Sequence, residues 1–181
     1  MKIILDRNAG FCFGVKNAIA ETLKTIEENK QKKVYTYGPL IHNKQVTEEL
    51  RKKGVIEIEN PAEDMGADSL VVIRSHGAPK KIFEDIISKG LKYVNCTCPF
   101  VSRIHRIVEE KYNEGYKIMI AGDKDHPEVI GINGWCNNEA IILDDEKMVD
   151  KLTYYDKICL VAQTTISKNL WHRIKERVKD K

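Results

Sequence analysis

No stretch of this 181-residue sequence approaches the roughly 18 consecutive apolar residues that a membrane span requires. The opening apolar run is cut off by Asp6-Arg7, too early for the hydrophobic region of an export signal. Aromatic residues are scarce, 7% of the chain, and do not interleave with basic ones, so nucleic-acid binding finds no support. An excess of one charge is also lacking. Residues 1–95 carry 16 basic and 13 acidic side chains and residues 96–181 carry 14 of each, which leaves no basic arm and a net charge of +3. No linker rich in proline, glycine and serine divides the chain. Nor is the cysteine count even: Cys12, Cys96, Cys98, Cys136 and Cys159 make five, and an odd number without an export signal points to reduced thiols. These absences predict a cytoplasmic protein with neither membrane nor nucleic-acid partners.

What is present is ordinary for a globular chain, 42% hydrophobic and 31% charged. Collagen-like, low-complexity and disordered classes are excluded. A chain of this length buries roughly 70% of the surface its unfolded form exposes and needs no disulfide to hold a core.

Short apolar runs rich in β-branched residues alternate with helical patterns. The runs predict strands over 2–5, 33–37, 55–58, 69–74, 91–94, 117–121, 140–143 and 157–161. Helices are expected over 15–29, 44–53, 80–88, 101–113, 145–152 and 168–179, with a shorter one opening at His126-Pro127-Glu128. Asn43 reads as an N-cap, Gly54 and Gly90 as helix stops, and Pro79 and Pro99 as first-turn residues. This βαβα rhythm predicts an α/β fold of mostly parallel sheets flanked by helices. A weak repeat is visible in the polar punctuation: His42 and His76 follow strands 34 residues apart, and His126 and Thr164 follow strands 38 residues apart. Two similar small domains that meet between Val94 and Pro99 are therefore expected.

Each of these polar clusters lies after a strand and before a helix, where open parallel sheets bind ligands. Helix starts there offer free N–H groups that suit anions. Three histidines, His42, His76 and His126, share that position; singly each reads as a capping residue, together as donors to a phosphate. Cys12, in Gly10-Phe11-Cys12-Phe13-Gly14, and Cys98, in Cys96-Thr97-Cys98-Pro99, sit at matching strand-to-helix turns. They are either small residues at tight turns or thiolate ligands, and Cys96 with Cys98 is also the spacing of a redox dithiol or half a zinc site. Cys159 reads as core and Cys136 as a loop or packing residue, while His105 and His172 read as surface positions. Glu128 is either a simple first-turn acid or a proton donor in a closed site. Thr164 and Thr165 are either caps or donors to a substrate oxygen.

In order and spacing, Gly10-Phe11-Cys12-Phe13-Gly14-Val15, Gly38-Pro39-Leu40-Ile41-His42-Asn43, Arg74-Ser75-His76-Gly77, Cys96-Thr97-Cys98-Pro99, His126-Pro127-Glu128-Val129 and Gln163-Thr164-Thr165 closely resemble the 4-hydroxy-3-methylbut-2-enyl diphosphate reductase (LytB) family. Each motif is weak alone; six in sequence are specific. The resemblance implies a 4Fe–4S cluster held by three cysteines, of which Cys12 and Cys98 match two, Cys98 being chosen over Cys96 because it directly precedes Pro99. It implies that His42, His76 and His126 hold the substrate diphosphate, that Glu128 delivers protons to the departing hydroxyl, and that Thr164 stands near the substrate oxygen. It implies a two-electron, two-proton reductive dehydroxylation that yields isopentenyl and dimethylallyl diphosphates, with a ferredoxin or flavodoxin as electron donor. Family members have three pseudo-symmetric α/β domains. The chain accordingly reads as a cluster-loop segment over 1–13 that belongs with the third domain, a first domain over 14–96 and a second over 97–181, inactive alone. The third cluster cysteine and a Ser/Asn set for the diphosphate are expected beyond Lys181. A non-catalytic module that binds a phosphorylated ligand is the alternative.

Overall fold

A computed structural model of the chain describes residues 3–4, 9–61, 65–66 and 68–180. Of the expected strand over 2–5, Ile3 and Ile4 are described and are exposed with no strand pairing, while residues 2 and 5 lie outside the described residues. From there the chain runs α1 (Phe13–Glu28), β1 (Val34–Tyr37), α2 (Lys44–Lys52), β2 (Ile56–Ile58), β3 (Leu70–Ile73), α3 (Lys80–Ser88) and β4 (Lys92–Asn95). It continues as α4 (Pro99–Asn113), β5 (Lys117–Ala121), α5 (Pro127–Asn133), β6 (Ile141–Leu143), β7 (Ile158–Ala162) and α6 (Lys168–Lys179). Two short 3-10 helices, Gly134–Cys136 and Glu146–Lys151, punctuate the second half.

Local chemistry explains the boundaries. The Asn43 side chain accepts from the Val46 amide and starts α2, and that of Ser167 accepts from Leu170 and starts α6. Gly54 (φ +90°) and Gly90 (φ +67°) end α2 and α3 in the left-handed region where a side chain is strained. Pro99 opens α4, whereas Pro79 lies one residue before α3, as its cap. One expected α-helix, over 145–152, is instead the six-residue 3-10 helix. The Asp145 carboxylate accepts from the Lys147 amide and the Asp145 carbonyl from Met148, so the segment closes three-residue turns.

Among the described residues two sheets form, with every strand pair parallel. The first has the order β2-β1-β3-β4, the second β6-β5-β7. β3 and the body of β5 are apolar because both faces are covered: Leu70, Val71, Val72 and Ile73 are all buried, as are Ile118, Met119, Ile120 and Ala121. One core layer packs α1 and α2 on the first sheet around Leu40, Leu50, Val72 and Cys96, and another packs α6 on the second around Met119, Leu143, Val149 and Ile174. The faint repeat in the sequence is thus a repeat of topology. In each sheet the chain first moves one way from a strand (β1, β5) to its neighbour (β2, β6). It then returns to the other side (β3, β7).

That reversal creates a crevice at the carboxyl end of each sheet, between the turns that leave β1 and β3 and between those that leave β5 and β7. No helix of the described residues is long and apolar enough to cross a membrane.

Candidate functional site

His42 leaves β1, His76 leaves β3, and His126 leaves β5. The three rings converge: centroids of His42 and His76 lie 4.3 Å apart, of His42 and His126 5.4 Å, and of His76 and His126 5.6 Å. The two crevices therefore face each other. One nitrogen of each ring lies within 4.8 Å of the other two, a spacing that a metal ion could close. The hydrogen bonding favours an anion instead. His126 caps α5 by accepting the Glu128 N–H at Nδ1, 3.1 Å away. In that tautomer its proton sits on Nε2, a donor with no lone pair for a metal.

Charge points the same way. Burial, then the neighbouring His42, His126 and Arg74, pushes His76 down to about 4. His42 is lowered by the same kinds of cause, burial first, then His126 and Arg74. Neutral imidazoles present N–H donors without repelling one another. The permanent cation nearby is Arg74, buried under the triad, with its guanidinium 5.0 Å from the centre of the Tyr37 ring and Nε donating to the Gly77 carbonyl. A Cβ on Gly38 (φ +63°) would strike that guanidinium. In the sequence Arg74 is only one residue of a motif; folding brings its charge within reach of His42 and His76.

Two residues after His126 lies Glu128, 2% exposed in the first turn of α5. Its Oε1 accepts the Thr164 amide (2.6 Å) and its Oε2 the Thr164 hydroxyl (2.8 Å). Thr164 itself is exposed at the turn that leaves β7, and the neighbouring Gln163 ties that turn to the Asp123 amide and the Thr165 hydroxyl. The turns after β5 and β7 are thus stitched together around one buried carboxylate.

Cys12 and Cys98 are the N-caps of α1 and α4, and neither thiol spends itself on a cap hydrogen bond. Cys12 is exposed and Cys98 half-buried. The two turns touch: a Cβ added at Gly14 would lie 2.8 Å from Cys98 Sγ. The Cys98 amide donates to the Ser75 carbonyl, so this cysteine is also tied to the His76 turn. The other thiols are used elsewhere. Cys96 is 1% exposed in the first core, and burial pushes it up to about 11. Cys136 is buried and donates to the Asn133 carbonyl, and Cys159 packs on the second core. Exposed Phe13 and Phe100 flank the cysteine turns.

The surface reading of His105 is corrected. It is 4% exposed and stacked on Trp135. Its spacing from Val101 and Val108, four and three residues, places it on the buried stripe of α4; flanking Arg103 and Arg106 obscured that signal. His172 is exposed, as expected. A cavity of about 520 Å³ between α2 and the first sheet shares His42 but none of His76, His126, Glu128 or Thr164.

A family model described as LytB protein matches residues 3–181. The 4-hydroxy-3-methylbut-2-enyl diphosphate reductase of Alkaliphilus oremlandii (strain OhILAs) is 45% identical over 181 residues, which covers all of this chain and 64% of the relative. That of Caldanaerobacter subterraneus subsp. tengcongensis is 43% identical, covering 100% and 63%. A solved structure of the E-1-hydroxy-2-methyl-but-2-enyl-4-diphosphate reductase from Plasmodium falciparum matches with a TM-score of 0.88 at 32% identity, over 96% of this chain and 55% of that one. A second, of (E)-4-hydroxy-3-methyl-but-2-enyl diphosphate reductase, matches with a TM-score of 0.83 at 36% identity, over 98% and 63%. The chain spans less than two thirds of the length of these relatives. On the match of the family model, the identities and the superposed fold, the chain belongs to the LytB family.

Proposed function

We propose that this chain carries the diphosphate-holding and proton-delivering parts of a 4-hydroxy-3-methylbut-2-enyl diphosphate reductase. The reaction replaces the C–OH bond of the substrate by C–H, takes up two electrons and two protons, and releases water, giving isopentenyl and dimethylallyl diphosphates. The observation that supports this reading is the convergence of three imidazoles from both sheets, one of which, His126, lies two residues before the Glu128 that accepts from Thr164.

His42, His76 and His126 donate N–H hydrogen bonds to the diphosphate, and Arg74 supplies positive potential behind them. Thr164 orients the substrate hydroxyl end against Glu128, whose carboxyl group passes a proton to the departing oxygen. Cys12 and Cys98 fit a 4Fe–4S cluster as thiolate ligands, being free thiols at helix N-termini on touching turns. When bound, such a cluster supplies the electrons and a Lewis acid for the hydroxyl. Cys12 and Cys98 would provide two of its ligands. The division into 1–13, 14–96 and 97–181, a ferredoxin or flavodoxin donor and a cytoplasmic location belong to the same reading.

The test is titration of the chain with inorganic pyrophosphate, followed through the imidazole resonances of its five histidines. His42, His76 and His126 are expected to shift together while His172 stays still. A saturating titration that leaves the three unmoved overturns the reading.

A further inference from the structure

His76 is carried on the turn from Arg74 to Pro79, and the back of that turn rests on the second half of the chain. Trp135 Nε1, in the 3-10 helix after α5, donates to the Ala78 carbonyl across 3.0 Å. His105, from α4, stacks on Trp135 with ring centroids 5.1 Å apart and planes 20° from parallel. Gly77 has φ +76°, and a Cβ there would strike His105 Cε1 and lie 3.1 Å from Nε2. The Cα of Gly77 therefore sits directly on the edge of the imidazole. Gly134 meets Pro79 with so little space that a Cβ would overlap the ring. Phe83 of α3 also packs against Trp135, with ring centroids 5.8 Å apart.

These contacts join the two halves where the site needs a fixed distance. His76 belongs to the first sheet, whereas His126, Glu128 and Thr164 belong to the second. The His76 turn also meets α5 directly, where a Cβ on Gly131 would lie 3.5 Å from the His76 carbonyl oxygen. The plate formed by His105 and Trp135 touches the turn one and two residues after His76 while rooted in the same layer as α5.

We infer that His105 and Trp135 are positioning residues: their stacked rings clasp the Gly77-Ala78 backbone and so hold His76 at the spacing that lets the three histidines share one anion. This rests on the anion reading of the triad. The ring must be small and flat, since the glycine opposite leaves no room for more. Burial keeps the ring uncharged, pushing His105 down to about 4.

The experiment measures inorganic pyrophosphate binding by the whole chain and by Trp135→Phe, which keeps the stack and removes the donor to Ala78. His172→Gln serves as the exposed control. Trp135→Phe is expected to bind about tenfold more weakly, as loss of one buried hydrogen bond implies. Its His76 imidazole signal moves while that of His172 does not. Unaltered affinity with an unmoved His76 signal overturns the clasp. If Trp135→Phe does not fold, the same measurement is made on His105→Gln, which removes the stacked ring beside Gly77; weaker pyrophosphate binding with a moved His76 signal supports the clasp, and unaltered affinity with an unmoved signal overturns it. Failure of the unaltered chain to bind pyrophosphate overturns the anion reading, and the clasp with it.

Discussion

The carboxylate of Glu128 accepts both the amide and the hydroxyl of Thr164, residues 36 positions apart that meet at the mouths of β5 and β7. This contact links stability to chemistry, because the group proposed to deliver a proton is also the group that fastens two turns.

Thr164→Val removes the hydroxyl donor and leaves Glu128 Oε2 without its partner. Loss of such a bond to a buried acceptor costs about 1–3 kcal/mol. Thermal unfolding is expected to occur at a lower temperature in Thr164→Val, with Thr164→Ser close to the unaltered chain. Equal midpoints for all three would show that the hydroxyl contributes nothing.

Glu128→Gln tests the proton delivery. The experiment uses a chimera completed with the last third of the Alkaliphilus oremlandii relative, loaded with iron and sulfide. Turnover is expected to fall at least ~100-fold, the lower end of general acid contributions, with iron and acid-labile sulfide content unchanged. Near-normal turnover removes Glu128 as the proton source.

Binding of a diphosphate should draw protons onto the triad. The anion raises the proton affinity of His76 and His42, which lie below their ordinary range in the free protein. The complex then holds more protons than its separated parts, so the association constant rises as pH falls. Pyrophosphate affinity measured from pH 8 to pH 6 is expected to climb more steeply for the unaltered chain than for the His42→Gln/His76→Gln double variant. Identical slopes would rule out proton uptake by these rings.

Acid stability follows from His105. Its pKa is about 4 in the folded chain and about 6.5 when unfolded. Between these values the unfolded chain binds the extra proton, so this contribution is whole above about pH 6.5 and is lost as pH falls toward 4. The loss for so buried a ring is about 3 kcal/mol. Urea midpoints at pH 7.5 and 4.5 should differ less in His105→Gln than in the unaltered chain; an equal difference contradicts the assignment.

Thiol reactivity distinguishes the cysteines without any cofactor. In the native chain iodoacetamide is expected to modify Cys12 fastest and Cys98 next. Cys96, buried and held up at about 11, and Cys136, buried with burial raising it, should react only on unfolding. Peptide mapping that shows Cys96 labelled as quickly as Cys12 would revive the Cys96–Cys98 redox reading.

The helices and strands were legible where a local device marks them. Asn43 and Gly54 bracket α2, Pro99 opens α4, and runs such as Leu70–Ile73 are apolar because both of their faces are covered. The segment after Asp145 misled because its composition suits a helix while its side chain closes a tighter turn. His105 misled because charged neighbours outweighed a correct three-and-four spacing.

By itself the sequence determined the alternation of strand and helix, the placing of each polar cluster at a strand end, and the family, since all of these depend on residues close together in the chain. Only the tertiary structure decided which clusters meet. The reversal of strand order in each sheet and the packing of α4 and α5 behind the His76 turn bring His42, His76 and His126 within one ligand's reach. That outcome depends on contacts between residues dozens of positions apart, where no local periodicity carries information.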